Sequence, residues 1–139
     1  MPTIFTRIIN GEIPGRFVHS DDRCVAFLSI APLQPGHTLV VPIEEVDHWI
    51  DASPELNQHL MAVAQRIAVA QQAAFSPTKV ALIIAGLEVP HLHLHVVPMR
   101  TEADLNFANA DAGASPESMD RAAEQIREAL AATDGPGTG

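Results

Sequence analysis

The chain carries a single cysteine, Cys24, so it has no internal disulfide and no cysteine-built zinc cluster. A reducing, cytoplasmic setting is the simplest reading of that scarcity. Basic residues are also few: Lys79 and seven arginines stand against 17 acidic residues, for a formal charge of −9. Nucleic acids are held mainly by Lys and Arg, so no nucleic-acid partner is expected. A few local donors can still hold one small phosphate in an acidic protein. No apolar run approaches the eighteen or more residues of a membrane span, so no membrane partner is expected. The start of the chain lacks the basic-then-apolar pattern of an export signal. No internal repeat or linker interrupts the 139 residues, a length that suits one domain with its own core.

What is present alternates between strand and helix patterns. Residues 3–10 set Ile4, Phe5 and Ile8 at helical spacing before Gly11. Residues 16–19 and Cys24 to Ile30 read as two strands of a hairpin around Asp21-Asp22, and residues 37–42 as a strand ended by Pro42. Ser53-Pro54-Glu55 opens a helix whose apolar stripe is Leu56, Leu60, Val63, Ile67 and Ala70, running to about Phe75. Strands follow at residues 79–85 and 91–98. After a polar loop at 101–114, Ser115-Pro116-Glu117 opens a last helix with Met119, Ala122, Ile126 and Leu130 on its apolar face. His19 and His59 read as surface residues. The order implies one α+β domain over residues 1–133 with a mainly antiparallel sheet, and a flexible tail at 134–139.

The segment Pro90-His91-Leu92-His93-Leu94-His95-Val96-Val97-Pro98 carries the chemistry. Alternate residues of a strand share a face, so three imidazoles line one side while Leu92, Leu94 and Val96 enter the core. One such histidine is readily incidental; three at strict spacing call for a use, since each ring needs partners for two nitrogens. A metal site is one use. The outer two Cα atoms would be about 13 Å apart at a strand rise of roughly 3.3 Å, so one ion takes two of the rings at most, with a further ligand from elsewhere. Nucleophilic catalysis by the middle ring is another. A neutral imidazole attacks phosphorus well, and its phosphoramidate product is labile to water. The flanking rings would orient it, hold phosphate oxygens or supply a proton.

The row matches the motif His-φ-His-φ-His-φ-φ at every position, and on it the chain resembles the histidine triad (HIT) family. Ile4-Phe5 through Ile13-Pro14, Asp21 to Phe27, and Pro35-Gly36-His37 through Pro42 resemble further family segments in the expected order, covering most of residues 4–98. The resemblance implies a HIT-like α+β fold with a five-stranded, mainly antiparallel sheet, one long helix and a C-terminal helix. It implies a homodimer and a hydrolase or nucleotidyltransferase acting on a small-molecule nucleotide conjugate, a phosphoramidate or a dinucleoside polyphosphate, without a cofactor. His93 takes the place of the nucleophile that becomes transiently nucleotidylated, and His95 that of a phosphate contact. His91 with His37 matches a hydrogen-bond relay behind the nucleophile. A base pocket maps onto Phe5, Ile8, Ile13, Phe27, Ile30 and Leu39, for which core packing is the other explanation.

The chain departs from the family pattern in three places. Ser29 stands where an acidic residue commonly binds both ribose hydroxyls, and one hydroxyl cannot accept two hydrogen bonds from a cis-diol as a carboxylate does. Glu88 stands where a small hydroxyl residue commonly touches phosphate; its charge would repel the substrate unless it turns outward, is protonated or pairs with Arg100. Backbone N–H groups of Glu88 and Val89 remain candidate phosphate contacts. Zinc-binding members carry Cys-x-x-Cys near the start. Thr3 and Thr6 match those positions, and a later zinc-ligating histidine aligns with Glu45, although His48 lies close, so no structural zinc is expected. A non-catalytic nucleotide- or ligand-binding protein is the alternative that Ser29 and Glu88 favour, and a metal-dependent hydrolase is a third.

Overall fold

Strand alternation sorts the apolar residues onto two faces of one sheet. The computed structural model describes residues 2–133, so the tail expected at 134–139 lies outside the described residues. Five strands, β1 (Phe17–Ser20), β2 (Cys24–Leu28), β3 (Thr38–Pro42), β4 (Lys79–Ile83) and β5 (Leu94–Met99), lie in the order β1-β2-β3-β5-β4. Every neighbouring pair is antiparallel, as the sequence implied. Three helices accompany them: α1 (Ile4–Ile9), the long α2 (Pro54–Phe75) and the C-terminal α3 (Pro116–Thr133). No described helix is long and apolar enough to cross a membrane.

Ala26, Val40 and Leu94 are cross-strand partners in one row, as are Leu28, Thr38 and Val96 in the next. Both rows pack with Leu60 and Ile67 of α2 and Ile126 of α3 in the main core. The opposite face carries a row through all five strands, Phe17–Phe27–Leu39–His95–Ile83. Phe27 and Leu39 of that row, with Val25 and Val41, pack under Phe5 and Ile8 of α1. The expected apolar stripe of α2 is buried throughout, and Ser53 caps it by accepting from Leu56 N–H at 3.1 Å.

Strand ends are shorter than the sequence pattern implies, and the difference matters at the histidine row. β5 begins at Leu94 rather than His91. Leu92 N–H leaves the ladder to donate to Val46 C=O at 2.7 Å, and His91 N–H donates to Val89 C=O at 2.8 Å. The row therefore spans an extended lead-in and the first strand residues, while Leu92, Leu94 and Val96 remain buried in the core.

His19 and His59 are not simple surface residues. Their Nε2 atoms meet Asp21 Oδ2 at 2.6 and 2.9 Å, tying the β1–β2 hairpin to α2. Asp21 Oδ1 also accepts from Arg23 and Cys24 N–H. Burial raises the Asp21 pKa, but these hydrogen bonds outweigh it and hold the carboxyl well below the usual carboxylate range.

Gly36 sets the approach to His37. Its φ is +90°, and a Cβ there would lie 2.3 Å from Phe75 Cε2. Gly36→Ala is expected to cost about 1–3 kcal/mol, combining left-handed strain with overpacking against the Phe75 ring. A urea midpoint unchanged in the variant would contradict this packing.

Candidate active site

Donors and acceptors with only one possible role fix the proton on each ring of the triad. His93 Nδ1 lies 2.8 Å from His91 C=O. A carbonyl only accepts, so Nδ1 carries the hydrogen and Nε2 keeps the lone pair. His37 Nδ1 accepts from Leu33 N–H at 3.0 Å, which places the His37 proton on Nε2. That proton is donated to His95 Nδ1 at 2.9 Å, leaving His95 with Nε2–H as its remaining donor. The His93 and His95 rings are 4.8 Å apart between centroids. An unprotonated nitrogen on one ring thus stands beside a ring whose remaining nitrogen is a donor.

Burial keeps these rings neutral. His93 is only 6% exposed. Desolvation lowers its pKa; the hydrogen bond to the His91 backbone and the Glu88 charge oppose this without prevailing. Desolvation, then the mutual repulsion that protonating both it and His93 would create, brings His95 down to about 4. Desolvation, then the same repulsion against His95 and His93, brings His37 down to about 3.

His37 is paired with His95, not with His91 behind the nucleophile, and this corrects the relay inferred from resemblance. His91 has other partners: Nε2 donates to Pro42 C=O at 2.7 Å, and Nδ1 lies 2.6 Å from Thr3 Oγ1. It is fully buried. The separation arises because His37 precedes β3 beside His95 of β5, whereas His91 lies in the lead-in near the far end of β3.

Of the residues mapped to a base pocket, Phe5, Ile8, Ile13, Phe27 and Leu39 share one apolar cluster, with Val89 packed against it. The Phe5 ring lies steeply inclined to those of His93 and His91, with centroids 4.9 and 5.7 Å away. Ile30 is 73% exposed and stands outside this cluster, because β2 ends at Leu28 and the chain turns away. Ser29 is half-buried, and its Oγ accepts from Ala31 N–H at 3.3 Å. Glu88 is exposed. Pairing with Arg100 does not occur: that guanidinium donates to Ser76 and Phe75 C=O at the end of α2. Gly86, at φ +78°, brings the preceding loop within 3.8 Å of His93 Cε1, measured from the place of a Cβ.

Two neighbours of the row were missed in sequence. Phe107, in the polar loop after β5, sets its ring 5.0 Å from His95; it is the lone aromatic of that loop, which was the available signal. Thr3 was read only against a zinc pattern and is instead the side-chain partner of His91.

The positions matched to zinc ligands do not fit a zinc. Thr3 N–H and Thr6 Oγ1 both donate to Glu45 Oε1, and the two threonines offer neutral hydroxyls where zinc takes thiolate, imidazole or carboxylate. Among the described residues, His19, Asp21 and Cys24 place one ligand-type atom each within 4.8 Å of one another. There Arg66 Nη1 lies 3.2 Å from His19 Nδ1, a donor where the second nitrogen of a metal-bound imidazole needs an acceptor. Burial, with the Asp21 charge, pushes the Cys24 thiol up to about 12.

The chain is similar to known proteins in sequence and fold. An uncharacterized HIT-like protein of Mycobacterium tuberculosis is 34% identical over 139 residues, 96% of each chain. The crystal structure of a zinc-bound histidine triad family protein from Mycobacterium smegmatis superposes with a TM-score of 0.82 at 31% identity, covering 94% of both chains. That of a hypothetical histidine triad nucleotide-binding protein from Sulfolobus tokodaii gives 0.83 at 25% identity, covering 94% of this chain and 93% of that one. The family model of the HIT domain matches residues 10–102, and the chain belongs to the HIT family.

Proposed function

We propose that the protein is a nucleotidyl hydrolase or transferase that attacks the α-phosphate of a nucleoside monophosphate conjugate through His93, yielding a covalent nucleotidyl-histidine. One observation carries this reading: His93 is neutral and buried, tied through Nδ1–H to a backbone carbonyl, with its Nε2 lone pair uncommitted beside the His95 donor. The P–Nε2 bond forms as the bond to the leaving group breaks; the leaving group departs with the bonding pair and takes a proton from water. The ring then carries positive charge, which the His91 carbonyl faces, while His95 Nε2–H is the donor for a phosphate oxygen. Water attacks phosphorus next, the P–N bond breaks, and His93 recovers its lone pair as the proton of that water passes to solvent. Ile13 and Val89, half-buried against the buried Phe5, Ile8, Phe27 and Leu39, offer the apolar surface for the base.

The same reading takes the protein to be a cytoplasmic homodimer. Supporting features are β4 at the rim of the sheet with Leu82 and Ile84 exposed, and the exposed Met61 and Val69 of α2. Ser29 favours a weaker grip on ribose than a carboxylate would give. Ribonucleoside and 2′-deoxyribonucleoside conjugates are therefore expected to differ in kcat/KM by less than about tenfold, the worth of a single modest hydrogen bond.

The test is to incubate the protein with an adenosine phosphoramidate and with a dinucleoside polyphosphate, each with and without chelator, following products and intact mass. Turnover indifferent to chelator, with an added nucleotidyl mass when the intermediate is trapped, is the expected result. Binding without turnover or adduct across both substrate types would establish a ligand-binding protein instead, and turnover abolished by chelator would establish metal chemistry.

A further inference from the structure

A file of hydrogen bonds runs from a surface carboxylate into the histidine row from the side opposite His37. Glu45 Oε1 accepts from Thr6 Oγ1 at 2.5 Å and from Thr3 N–H at 2.9 Å. Thr3 Oγ1 accepts from Thr6 N–H at 3.1 Å and sits 2.6 Å from His91 Nδ1. His91 Nε2 must carry a hydrogen to serve Pro42 C=O, so Nδ1 is the acceptor and the Thr3 hydroxyl gives it its one proton. The His91 carbonyl in turn receives His93 Nδ1–H. Thr3 thus donates to the His91 ring, that ring donates to Pro42 C=O, and His93 donates to the His91 carbonyl, which leaves the lone pair on His93 Nε2.

Glu45 frames this file without touching the triad. An ionised carboxylate only accepts, so it takes the Thr6 hydroxyl proton and the Thr3 N–H; the Thr6 hydroxyl cannot then donate to Thr3, and its oxygen, 3.4 Å from Thr3 Oγ1, is a far longer contact for the Thr3 proton than His91 Nδ1 at 2.6 Å. The same contacts hold the first turn of α1 in place. That turn carries Phe5, whose ring lies steeply inclined to those of both His91 and His93. We propose that Glu45 is a positioning residue of the HIT site: through Thr3 it holds the His91 ring in place, its Nε2–H on Pro42 C=O, and so fixes the carbonyl that orients His93. The proposal rests on His93 being the reactive ring, and it extends that reading to an exposed residue that does not touch the triad.

A neutral glutamine in place of Glu45 has an amide that can also donate. The Thr6 hydroxyl is then released to compete for Thr3, and the His91 ring loses the contact that fixes its place and that of its carbonyl, although Pro42 C=O still takes its Nε2–H. In wild type, nitrogen-resolved imidazole spectra are expected to show His91 as Nε2–H and His93 as Nδ1–H. In Glu45→Gln and in Thr3→Val, His93 is expected to become a tautomer mixture, with kcat lower by on the order of tenfold to a hundredfold at little changed KM. Thr3→Ser, which keeps the hydroxyl, is expected to restore both the spectrum and kcat. Unchanged His93 tautomer and kcat in folded Glu45→Gln and Thr3→Val would overturn the proposal, as would a change confined to KM. Should Glu45→Gln fail to fold, the Thr3→Val and Thr3→Ser pair isolates the same hydroxyl. The spectra need no substrate, so a wild type without turnover refutes the hydrolase reading while the tautomers still judge the positioning role.

Discussion

His93→Ala is expected to lower turnover of a nucleotide phosphoramidate by on the order of 10⁴-fold or more, and to abolish the covalent adduct. The size follows from the nucleophile's role proposed for it. The other rings of the row have their nitrogens committed: His91 to Thr3 and Pro42, and His95 Nδ1 to His37. Only His93 offers an uncommitted lone pair, so no neighbour substitutes for it. The loss should appear in kcat with KM altered far less, because the apolar cluster around Phe5 and Phe27 survives the change. A thermal midpoint within a few degrees of wild type would show that the loss is chemical and not structural. Residual turnover within tenfold of wild type would refute the nucleophile assignment.

The second large effect concerns acid. His37 titrates near 3 in the folded chain and His95 near 4, against an ordinary value of 6.5. Both pKa values are depressed on folding, so below pH 6.5 the unfolded chain binds protons that the folded chain refuses. Their contribution to stability is complete above pH 6.5 and is lost as pH falls toward 4 and then 3. One pKa unit corresponds to about 1.4 kcal/mol, so buried His37 alone amounts to a few kcal/mol. That is a sizeable share of the roughly 5–15 kcal/mol of a whole domain. His95 is half-buried, so its share is smaller. Asp21, also depressed, adds its loss below about pH 4. The urea midpoint should be level from pH 8 to 7 and fall steeply between pH 6 and 4.5. A midpoint unchanged from pH 7 to 5 would mean that these rings are not held neutral by burial. Activity should follow the same sign, with full rate persisting to a lower pH than a free imidazole would allow.

Strand and helix periodicity made most of the architecture legible. Alternation alone placed Leu92, Leu94 and Val96 in the core, and Ser53-Pro54 with its apolar stripe placed α2 nearly to the residue. The row of histidines was equally plain. What periodicity could not express was pairing across the sheet. Whether His37 stands behind His91 or His95 depends on the register of β3 against β5, which sets Leu39 opposite His95 and leaves His91 beyond the ladder. The exposure of Ile30 turns on where β2 ends, a matter of two residues. His19 and His59, forty positions apart, looked incidental because nothing local links them; Asp21 does so only once the hairpin lies on α2. Glu45 and Thr3 likewise meet across most of the first third of the chain.

The strand order has one further consequence. With β4 at the rim and β5 next to it, His95 lies one strand in from an open ladder of backbone groups. Neighbouring strands are about 4.8 Å apart, so any chain that zips onto that rim stands roughly 10 Å from the strand that carries His95. That is a little beyond the screening length of about 8 Å at physiological salt and comes within it below about 0.1 M. In dilute salt, a lysine or aspartate delivered by such a guest would be felt at the histidine row without ever entering it.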